Sequence, residues 1–315
     1  MKTSNLLILG GYGSTGLPIA RLLLQESDAC LILAGRSLEK AQKAADALNA
    51  DFPGNRTTAR AVNAADTASL CAAFQGVQMV VVASSTALFA RQVAEAALDM
   101  GVDYLDVQYS TAKLEVLQSL AARIARAGRC FITDGGFHPG LPAALVRFAA
   151  PQFDQLVSAN VGSVIKIDWK SLHLSPSTIE EFVGEFRDFQ TLHFKDGRWQ
   201  KMSSLAMMFP KFMEFSHGFS RSYAMPMFLE ELRALPTLFP SLQETGFFVG
   251  GFNWFVDFFL FPVLFPLLWL PGKRGFLLAS RLLRWGLNTF SNPPFGTLSN
   301  SKPGAHKTTP PKRWT

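Results

Sequence analysis

The first half of the chain alternates short apolar runs with stretches whose apolar residues recur at helical spacing. The apolar runs cover residues 6–9, 31–34, 60–63, 78–85, 103–107 and 130–134. The helical patterns cover residues 14–25, 38–48, 67–74, 87–98 and 112–127. Strands that alternate with helices predict a doubly wound parallel sheet with right-handed crossovers. We therefore expect an α/β, Rossmann-type domain over residues 1–150.

After residue 150 the alternation stops, which predicts a second, α+β domain over residues 151–300. Residues 156–169 alternate as antiparallel strands do, and residues 192–202 predict a hairpin around Asp196-Gly197. A helix is predicted over 175–186, where Ser177 and Glu180 have capping-box spacing.

The segment 246–271 is almost entirely apolar, and it predicts a long helical segment within the second domain. It is long enough to span a bilayer, but Asn253, Asp257 and two prolines oppose a simple spanning helix. Three interpretations stay open: a buried or dimer-forming helical pair, an anchor at a membrane surface, and a true span. Lys273 and Arg274 would suit an anchor that meets anionic headgroups, and equally an ordinary helix end.

Residues 301–315 are polar and rich in proline and lysine, without periodicity, and predict a disordered tail. Such a composition after an apolar domain also suggests the hypothesis of a truncated or frameshifted C-terminus.

Four glycines fall within the seven residues 10–16, between the first strand and the first helix. Gly11, Gly13 and Gly16 form the G-x-G-x-x-G pattern, which lets the backbone approach a pyrophosphate at a helix N-terminus. The alternative is a tight turn without a ligand. The sheet pattern around it favours dinucleotide binding, with a cofactor-binding set at this turn of Gly11, Tyr12, Gly13, Ser14, Thr15 and Gly16.

The residues after the second strand predict NADP in preference to NAD. Enzymes that prefer NAD usually place an acid there, whereas this chain has Arg36, Ser37 and Lys40, which supply positive charge and donors for a 2′-phosphate. Asp66, after the third strand, would accept from the adenine amino group or cap the next helix.

Ligands of such sheets bind outside the carboxyl ends of the strands. Ser84 and Ser85 follow the fourth strand and are predicted to contact the cofactor. Candidate catalytic residues are Asp106 and Tyr109 after the fifth strand, and His138 after the sixth, because a histidine can exchange a proton near neutrality. A strand-end aspartate is also often a structural acceptor, and His138 would equally hydrogen-bond its own loop.

Composition narrows the function classes. The net charge is +6, but Lys302, Lys307, Lys312 and Arg313 contribute four of those charges, so the pattern predicts no nucleic-acid binding. The three cysteines are far apart, which is typical of a reducing compartment. No secretory signal, metal-site spacing or nucleophile elbow is present in the sequence. We predict a cytoplasmic protein, with association to a membrane surface as an open alternative.

Four segments resemble the saccharopine dehydrogenase (saccharopine reductase-like) family: residues 10–16, 34–40, 93–107 and 135–143. The resemblance implies an NADP-binding Rossmann domain, a second domain that covers the nicotinamide, frequent homodimers, and Gly11, Gly13, Gly16, Arg36 and Ser37 as cofactor contacts. We expect an NADP-dependent oxidoreductase that transfers hydride to or from a C=N, C=O or C=C bond of a small, largely apolar substrate. The alternative is a non-catalytic, membrane-associated NADP-binding protein.

Overall fold

The chain divides into two compact units, Met1–Leu141 and Pro142–Thr315. The computed structural model describes residues 4–84, 86–172, 179, 183–184, 190–202, 211–215, 219–250, 252–268, 270, 273–293 and 295–306. The division falls at the start of a helix, whereas the sequence pattern placed the domain boundary near residue 150.

The first unit is built on six strands that alternate with five helices. In chain order these are β1 (Asn5–Leu9), α1 (Gly16–Glu26), β2 (Cys30–Gly35), α2 (Leu38–Asp51), β3 (Thr57–Ala61), α3 (Thr67–Phe74), β4 (Met79–Val82), α4 (Ala90–Asp99), β5 (Asp103–Asp106), α5 (Thr111–Arg126) and β6 (Phe131–Ile132). The strands form one parallel sheet in the order β3-β2-β1-β4-β5-β6. The predicted Rossmann-type sheet is confirmed, with β3 a few residues earlier than the pattern placed it.

Apolar side chains fill both faces of this sheet, as a parallel sheet between two helical layers requires. Leu7, Val80 and Val82 pack on one face with α3, α4 and α5. Ile8, Leu31 and Leu33 pack on the other face with α1 and α2. Because β1 and β4 are neighbours at the centre, the loops after them lie side by side where the strand order reverses.

The second unit contains a seven-stranded mixed sheet. Its elements are α6 (Leu141–Ala149), β7 (Gln155–Lys166), β8 (Leu192–Lys195), β9 (Arg198–Lys201), β10 (Lys211–Phe215), β11 (Ser220–Met227), α7 (Leu235–Leu238), β12 (Glu244–Gly250), α8 (Phe261–Leu268), α9 (Lys273–Phe290) and β13 (Gly296–His306). The strand order is β10-β11-β12-β7-β13, and β8 pairs with β12 and β9. An α+β unit is thus present. Within the predicted stretch 156–169, residues 156–166 lie in one long strand, β7, which is parallel to β12 and antiparallel to β13.

The predicted hairpin around Asp196-Gly197 is confirmed. Strands β8 and β9 pair across these two residues, and both have positive φ, +52° and +77°, as a two-residue type I′ turn requires. The helix predicted over 175–186, with Ser177 and Glu180, lies mostly outside the described residues.

Residues 301–306 differ from the sequence-based expectation of a disordered tail. They belong to β13, which pairs with β7 from Gly296 opposite Lys166 to His306 opposite Gln155. Strand β13 lies at an edge of the sheet, where a proline such as Pro303 is tolerated. Backbone hydrogen bonds create this strand, and they leave no signal in the side-chain pattern.

The apolar segment 246–271 is not one long helix, which corrects the sequence-based prediction. Its first residues complete β12, a π-helical turn follows over Val256–Leu260, and α8 occupies only Phe261–Leu268. Val256, Leu260 and Leu264 pack against Leu283 and Leu287 of α9. Within the part of the chain that the structure describes, no helix has the length and apolarity that crossing a membrane demands.

Candidate functional site

The glycine turn joins β1 to α1 in the middle of the parallel sheet. Gly10 has φ +88°, and its N–H donates to the Ala34 carbonyl of β2 at 2.7 Å. The Gly13 N–H donates back to the Gly10 carbonyl at 2.9 Å, which closes the turn. At Gly16 a Cβ would overlap that same carbonyl. The turn therefore requires glycine at position 10 and at position 16, the last glycine of the predicted pattern.

The N-terminus of α1 faces this turn and has the features of an anion site. Thr15, its N-cap residue, makes no side-chain capping hydrogen bond, and the first turn of the helix contains no acid. Ser14 and Thr15 are exposed. The partial positive charge of the helix end is thus not offset by a side chain, and the residues fit a dinucleotide pyrophosphate.

Tyr12 connects the glycine turn to the loop after β2. Its ring lies so close to Gly35 that a Cβ there would come within 2.6 Å of a ring carbon. Its hydroxyl accepts a hydrogen bond from the Ser37 N–H at 3.1 Å. The two loops predicted to hold the cofactor are therefore fixed against each other by one side chain.

The loop after β2 presents positive charge to solvent. Arg36 and Lys40 are exposed, and their side chains form no ion pair with any residue in the described ranges. Ser37 caps α2, where its hydroxyl accepts from the Lys40 N–H at 3.3 Å. This arrangement places two uncommitted cations next to a helix N-terminus, which is the chemistry that a 2′-phosphate needs.

Asp66 caps α3, because its Oδ1 accepts from the Ala68 N–H at 2.9 Å. Of the two roles considered for Asp66, capping is the one that the structure displays, and an adenine contact stays a prediction.

The end of β4 lies directly against the glycine turn. A Cβ on Gly10 would come within 2.6 Å of the Ser84 Cβ. The Ser84 carbonyl accepts hydrogen bonds from the Thr86 N–H at 2.7 Å and from the Gln108 amide. Ser85, the other residue predicted here, lies outside the described residues. The loops after β4 and β5 are thus joined at the cofactor side of the sheet.

A fully buried lysine links the ends of β5 and β6. The Lys113 ammonium of α5 donates to the Asp106 carboxylate, to the Gln108 carbonyl, and to Asp134 Oδ1 at 2.8 Å. The side chains of Lys113 and Asp106 are both 0% exposed. The second Asp106 oxygen accepts from the Thr133 hydroxyl at 3.0 Å. We call Asp106, Lys113, Thr133 and Asp134 the buried lysine cluster.

Burial shifts the pKa values of groups in and beside the buried lysine cluster. Burial raises the pKa of the Tyr104 hydroxyl, and the neighbouring Asp106 carboxylate adds to that effect. Burial also raises the pKa of Asp134 above its usual range, although Lys113 acts in the opposite direction. Because Asp106 is enclosed and its oxygens are engaged, the structure favours the structural-acceptor interpretation of Asp106 over a catalytic one.

Sequence reasoning did not find Lys113 and Asp134. Lys113 lies in the first turn of an amphipathic helix, where a lysine is ordinarily solvated. Nothing local indicates that it points inward. The nearest available signal was the pair of aspartates at the ends of two neighbouring strands, because two carboxylates buried together need a cation.

The loop 134–141 follows β6 and is closed by its own backbone. The Gly135 N–H donates to the Asp106 carbonyl at 2.8 Å, and the Gly136 N–H donates to the Pro139 carbonyl at 2.9 Å. Gly140 has φ +123°, and a Cβ there would overlap the Asp134 and Gly136 carbonyls. The loop therefore requires glycine at position 140, because a larger residue there would overlap these backbone carbonyls.

His138 lies in this loop, with its ring centroid 4.6 Å from that of Phe137. Burial lowers the pKa of His138 from 6.5 to about 4, so the imidazole is neutral at pH 7. Tyr109 is half-buried in the loop after β5. Both residues lie in loops that follow strands of the same sheet edge, as the sequence predicted, and their catalytic roles stay predictions.

A family of known proteins matches the part of the chain that forms this sheet edge. Residues 6–132 match the family model described as the saccharopine dehydrogenase NADP binding domain. This part of the chain is therefore similar to a saccharopine dehydrogenase-type NADP-binding domain. The family and the cofactor predicted from the sequence are confirmed. The glycine turn, the α1 N-terminus and the loop after β2 all lie within the matched residues of this NADP-binding domain.

Solved structures extend the likeness beyond the NADP-binding domain. Saccharopine dehydrogenase (L-Glu forming) from Saccharomyces cerevisiae superposes with a TM-score of 0.62 at 18% identity, over 84% of this chain and 57% of the yeast chain. The chain thus corresponds to little more than half of the yeast enzyme, and the likeness shows the fold alone.

More distant structures include myo-inositol dehydrogenase from Corynebacterium glutamicum, with 14% identity, a TM-score of 0.44, and coverage of 79% of this chain and 69% of that chain. Triphenylmethane reductase from Citrobacter, solved with NADP(H), has 20% identity and a TM-score of 0.33 over 41% of this chain and 48% of that chain. A comparison with curated protein sequences gave no significant match. No group of metal-ligating side chains occurs among the described residues.

Proposed function

We propose that this protein is an NADP-dependent oxidoreductase that transfers hydride to or from a C=N, C=O or C=C bond of a small, largely apolar substrate. One observation carries the proposal. An uncapped helix N-terminus and two uncommitted cations, Arg36 and Lys40, lie at the ends of adjacent strands in a domain of the NADP-binding family. Bound NADPH supplies the hydride, and the protein supplies orientation and electrostatics.

We assign each loop at this sheet edge to one part of the cofactor. The glycine turn and the α1 N-terminus bind the pyrophosphate, and Arg36, Ser37 and Lys40 bind the 2′-phosphate. The loops after β4, β5 and β6 lie at the same sheet edge, where Rossmann-type sheets bind the remaining part of a dinucleotide. The buried lysine cluster holds the last two of these loops in position.

His138 lies in the loop after β6, at this edge of the sheet. Since burial keeps it neutral at pH 7, we propose that its neutral ring nitrogen accepts a proton from the substrate in the oxidation direction, which makes it an imidazolium, and that this imidazolium returns the proton in the reduction direction. Tyr109 is the second candidate for that proton, because it lies in the neighbouring loop.

The apolar substrate is supported by the composition of the second half of the chain, where phenylalanine, leucine, methionine and tryptophan dominate. Burying an anionic substrate among such side chains without paired cations would be unfavourable by several kcal/mol. Homodimer formation remains a prediction that rests on the family resemblance.

A fluorescence titration of NADPH and NADH tests the cofactor assignment. We expect Arg36→Ala to weaken NADPH binding by about 1.5–3 kcal/mol, the contribution of a charge-assisted hydrogen bond, which corresponds to roughly ten- to hundredfold. NADH binding should be unchanged, because NADH lacks the 2′-phosphate.

Arg126→Ala is the matched control, since Arg126 is an exposed arginine at the end of α5, at the opposite edge of the sheet. Equal weakening of NADPH and NADH by Arg36→Ala would contradict the phosphate assignment.

A turnover assay distinguishes the proposed oxidoreductase from the alternative, a non-catalytic NADP-binding protein. NADPH oxidation is to be followed at saturating cofactor with panels of apolar enals, imines and ketones. Oxidation with one class identifies the reacting bond. NADPH binding without oxidation across all three panels would refute the proposed activity and favour the non-catalytic alternative.

A further inference from the structure

An exposed cluster of aromatic rings covers one side of the helical part of the second unit. Trp254 and Trp285 are 57% and 51% exposed, and Phe259 is 60% exposed. Their rings are joined through Phe255 and Phe290, with centroid distances of 4.1 Å between those two phenylalanines, 5.5 Å from Phe255 to Trp285 and 5.8 Å from Trp254 to Phe259. We call these five residues the aromatic patch.

The outer face of α9 continues the aromatic patch with further apolar side chains and with cations. Leu277 and Leu278 are exposed beside Trp285 on this helix. The four cations of the helix, which all lie on its exposed side, are Lys273, Arg274, Arg281 and Arg284. Spacings of three, four and seven residues place these groups on one helical surface.

The segment 252–293, which forms this surface, carries no exposed acid among its described residues. Between residues 252 and 293 the sequence contains a single acid, Asp257, and its side chain is buried, with Oδ1 accepting from the Phe252 N–H at 3.1 Å. None of the four α9 cations forms an ion pair with a residue that the structure describes. The surface therefore combines exposed tryptophans with four cations that have no carboxylate partner among the described residues.

We propose that the aromatic patch and the basic face of α9 dock on an anionic lipid bilayer, with the rings at the headgroup level and the cations on lipid phosphates. Tryptophan is favoured at that depth because its ring is amphipathic. Each lysine or arginine near an anionic leaflet adds attraction. The short π-helical turn, α8 and α9 lie on the membrane in this arrangement, as an interfacial helix pair does.

A second copy of this chain fits the same surface poorly. In a two-fold symmetric dimer each surface meets itself, so the four α9 cations of one copy would face those of the other, and no described residue of this surface places an exposed carboxylate between them. Like charges brought together at an interface oppose association. An anionic bilayer supplies the negative charge that the described residues of this surface do not present to a second copy.

This inference does not rest on the proposed function, because lipid docking needs neither NADPH nor a reacting bond. It concerns only residues of the second unit. A failure of vesicle binding would therefore leave the oxidoreductase proposal intact, and a failure of turnover would leave the docking surface intact.

Co-sedimentation of the full chain with phosphatidylcholine vesicles, with and without phosphatidylserine, tests the docking surface. We expect binding to the vesicles that contain phosphatidylserine, weaker binding as NaCl is raised, and a blue shift of tryptophan emission. The double charge reversal Arg281→Glu with Arg284→Glu should reduce binding at least tenfold. Trp254→Ser with Trp285→Ser should also reduce binding and abolish the blue shift.

Two controls match these variants in the same unit. Arg198→Glu with Lys201→Glu makes the same change in net charge on the exposed β9 strand, and Phe148→Ser removes an exposed aromatic ring outside the patch. Both should bind vesicles as the parent does. Unchanged NADPH binding and circular dichroism show that each variant is folded.

Three outcomes would overturn the proposal. The first is no binding to vesicles that contain phosphatidylserine. The second is binding that the Arg198/Lys201 control reduces as much as the Arg281/Arg284 variant, which would make it a net-charge effect. The third is a dimer in sedimentation velocity that Trp254→Ser with Trp285→Ser converts to a monomer, which would assign the surface to a second copy.

Discussion

At the scale of single residues, the ammonium group of Lys113 is the centre of the cofactor side of the sheet. It bridges aspartates from β5 and from the loop after β6, and it also holds the Gln108 carbonyl. A buried ion pair of this kind adds little net stability, but its disruption leaves an uncompensated charge in the interior. The three loop positions that it joins therefore depend on one side chain.

We expect Lys113→Met to lower the free energy of unfolding of the first unit by about 3–5 kcal/mol, because Asp106 then remains buried without a cation. Scanning calorimetry and far-ultraviolet circular dichroism measure this loss. All six tryptophans follow residue 150, so their fluorescence reports on the second unit. Lys43→Met, on the exposed face of α2, is the control, and an equal effect of the two substitutions would contradict the role of the cluster.

His138 gives the molecule a predicted pH dependence of stability. Its folded-state pKa, lowered to about 4, lies below the ordinary value of 6.5, so between these values the unfolded chain binds a proton that the folded chain does not. The free energy of unfolding should consequently fall as pH decreases from about 6.5 to 4, by up to about 3 kcal/mol. Above pH 7 the contribution should be constant.

His138→Gln should remove this part of the acid sensitivity, which urea titrations of parent and variant from pH 7.5 to pH 4 would measure by circular dichroism. The comparison at pH 7.5 supplies the reference, because His138 is neutral there in both states. Identical slopes for the two proteins would show that the imidazole is not desolvated.

At this scale, sequence reasoning located residue types better than their surroundings. The strand-end position of Asp106 could be deduced from the pattern. Its partner could not, since Lys113 comes from the following helix and turns inward only when β5, β6 and α5 pack together. The hydrogen bond from the Ser37 N–H to the Tyr12 hydroxyl could not be predicted either, because the two residues are 25 positions apart in the chain.

At the scale of elements, Gly13 and Gly16 of the glycine turn are glycines for two different physical reasons. A Cβ on Gly16 would overlap the Gly10 carbonyl, which belongs to the backbone and cannot move aside. A Cβ on Gly13 would meet only that carbonyl, at 3.1 Å, which a small shift accommodates. The fold needs Gly16 to pack the helix, whereas we propose that Gly13 is needed to admit the cofactor.

We therefore expect Gly16→Ala to destabilise the first unit by about 1–3 kcal/mol, as overpacking does, and to weaken NADPH binding as well. Gly13→Ala should weaken NADPH binding with a smaller loss of stability. Calorimetry without cofactor and fluorescence titration with NADPH measure the two effects. Equal destabilisation by both substitutions would contradict the separation.

Strand β13 shows where an element escapes side-chain patterns. Its pairing with β7 uses backbone groups along 11 residues, so a polar, proline-containing sequence can still form an edge strand. The same limit applies to β12, which shares the apolar segment with α8. An apolar run predicts burial, but it does not distinguish a strand from a short buried helix.

At the scale of the whole molecule, the two units differ in how far their sequences determine their topology. Helices and strands alternate in the first unit, and the rules for parallel crossovers then leave few arrangements. The second unit pairs strands that are distant in sequence, such as β7 with β12 and β13. No local pattern specifies these pairings, which is why only its α+β class and the β8–β9 hairpin could be predicted.

The contact between Tyr12 and Gly35 has a consequence for protein engineering. Coenzyme preference is usually altered by exchanging side chains just past the second strand. In this molecule, however, any larger residue at position 35 would overlap the phenol ring of Tyr12, which belongs to the glycine turn proposed to bind the pyrophosphate. A redesign toward NADH should accordingly keep positions 12, 35 and 37 fixed and confine its changes to positions 36 and 40, whose side chains project into solvent.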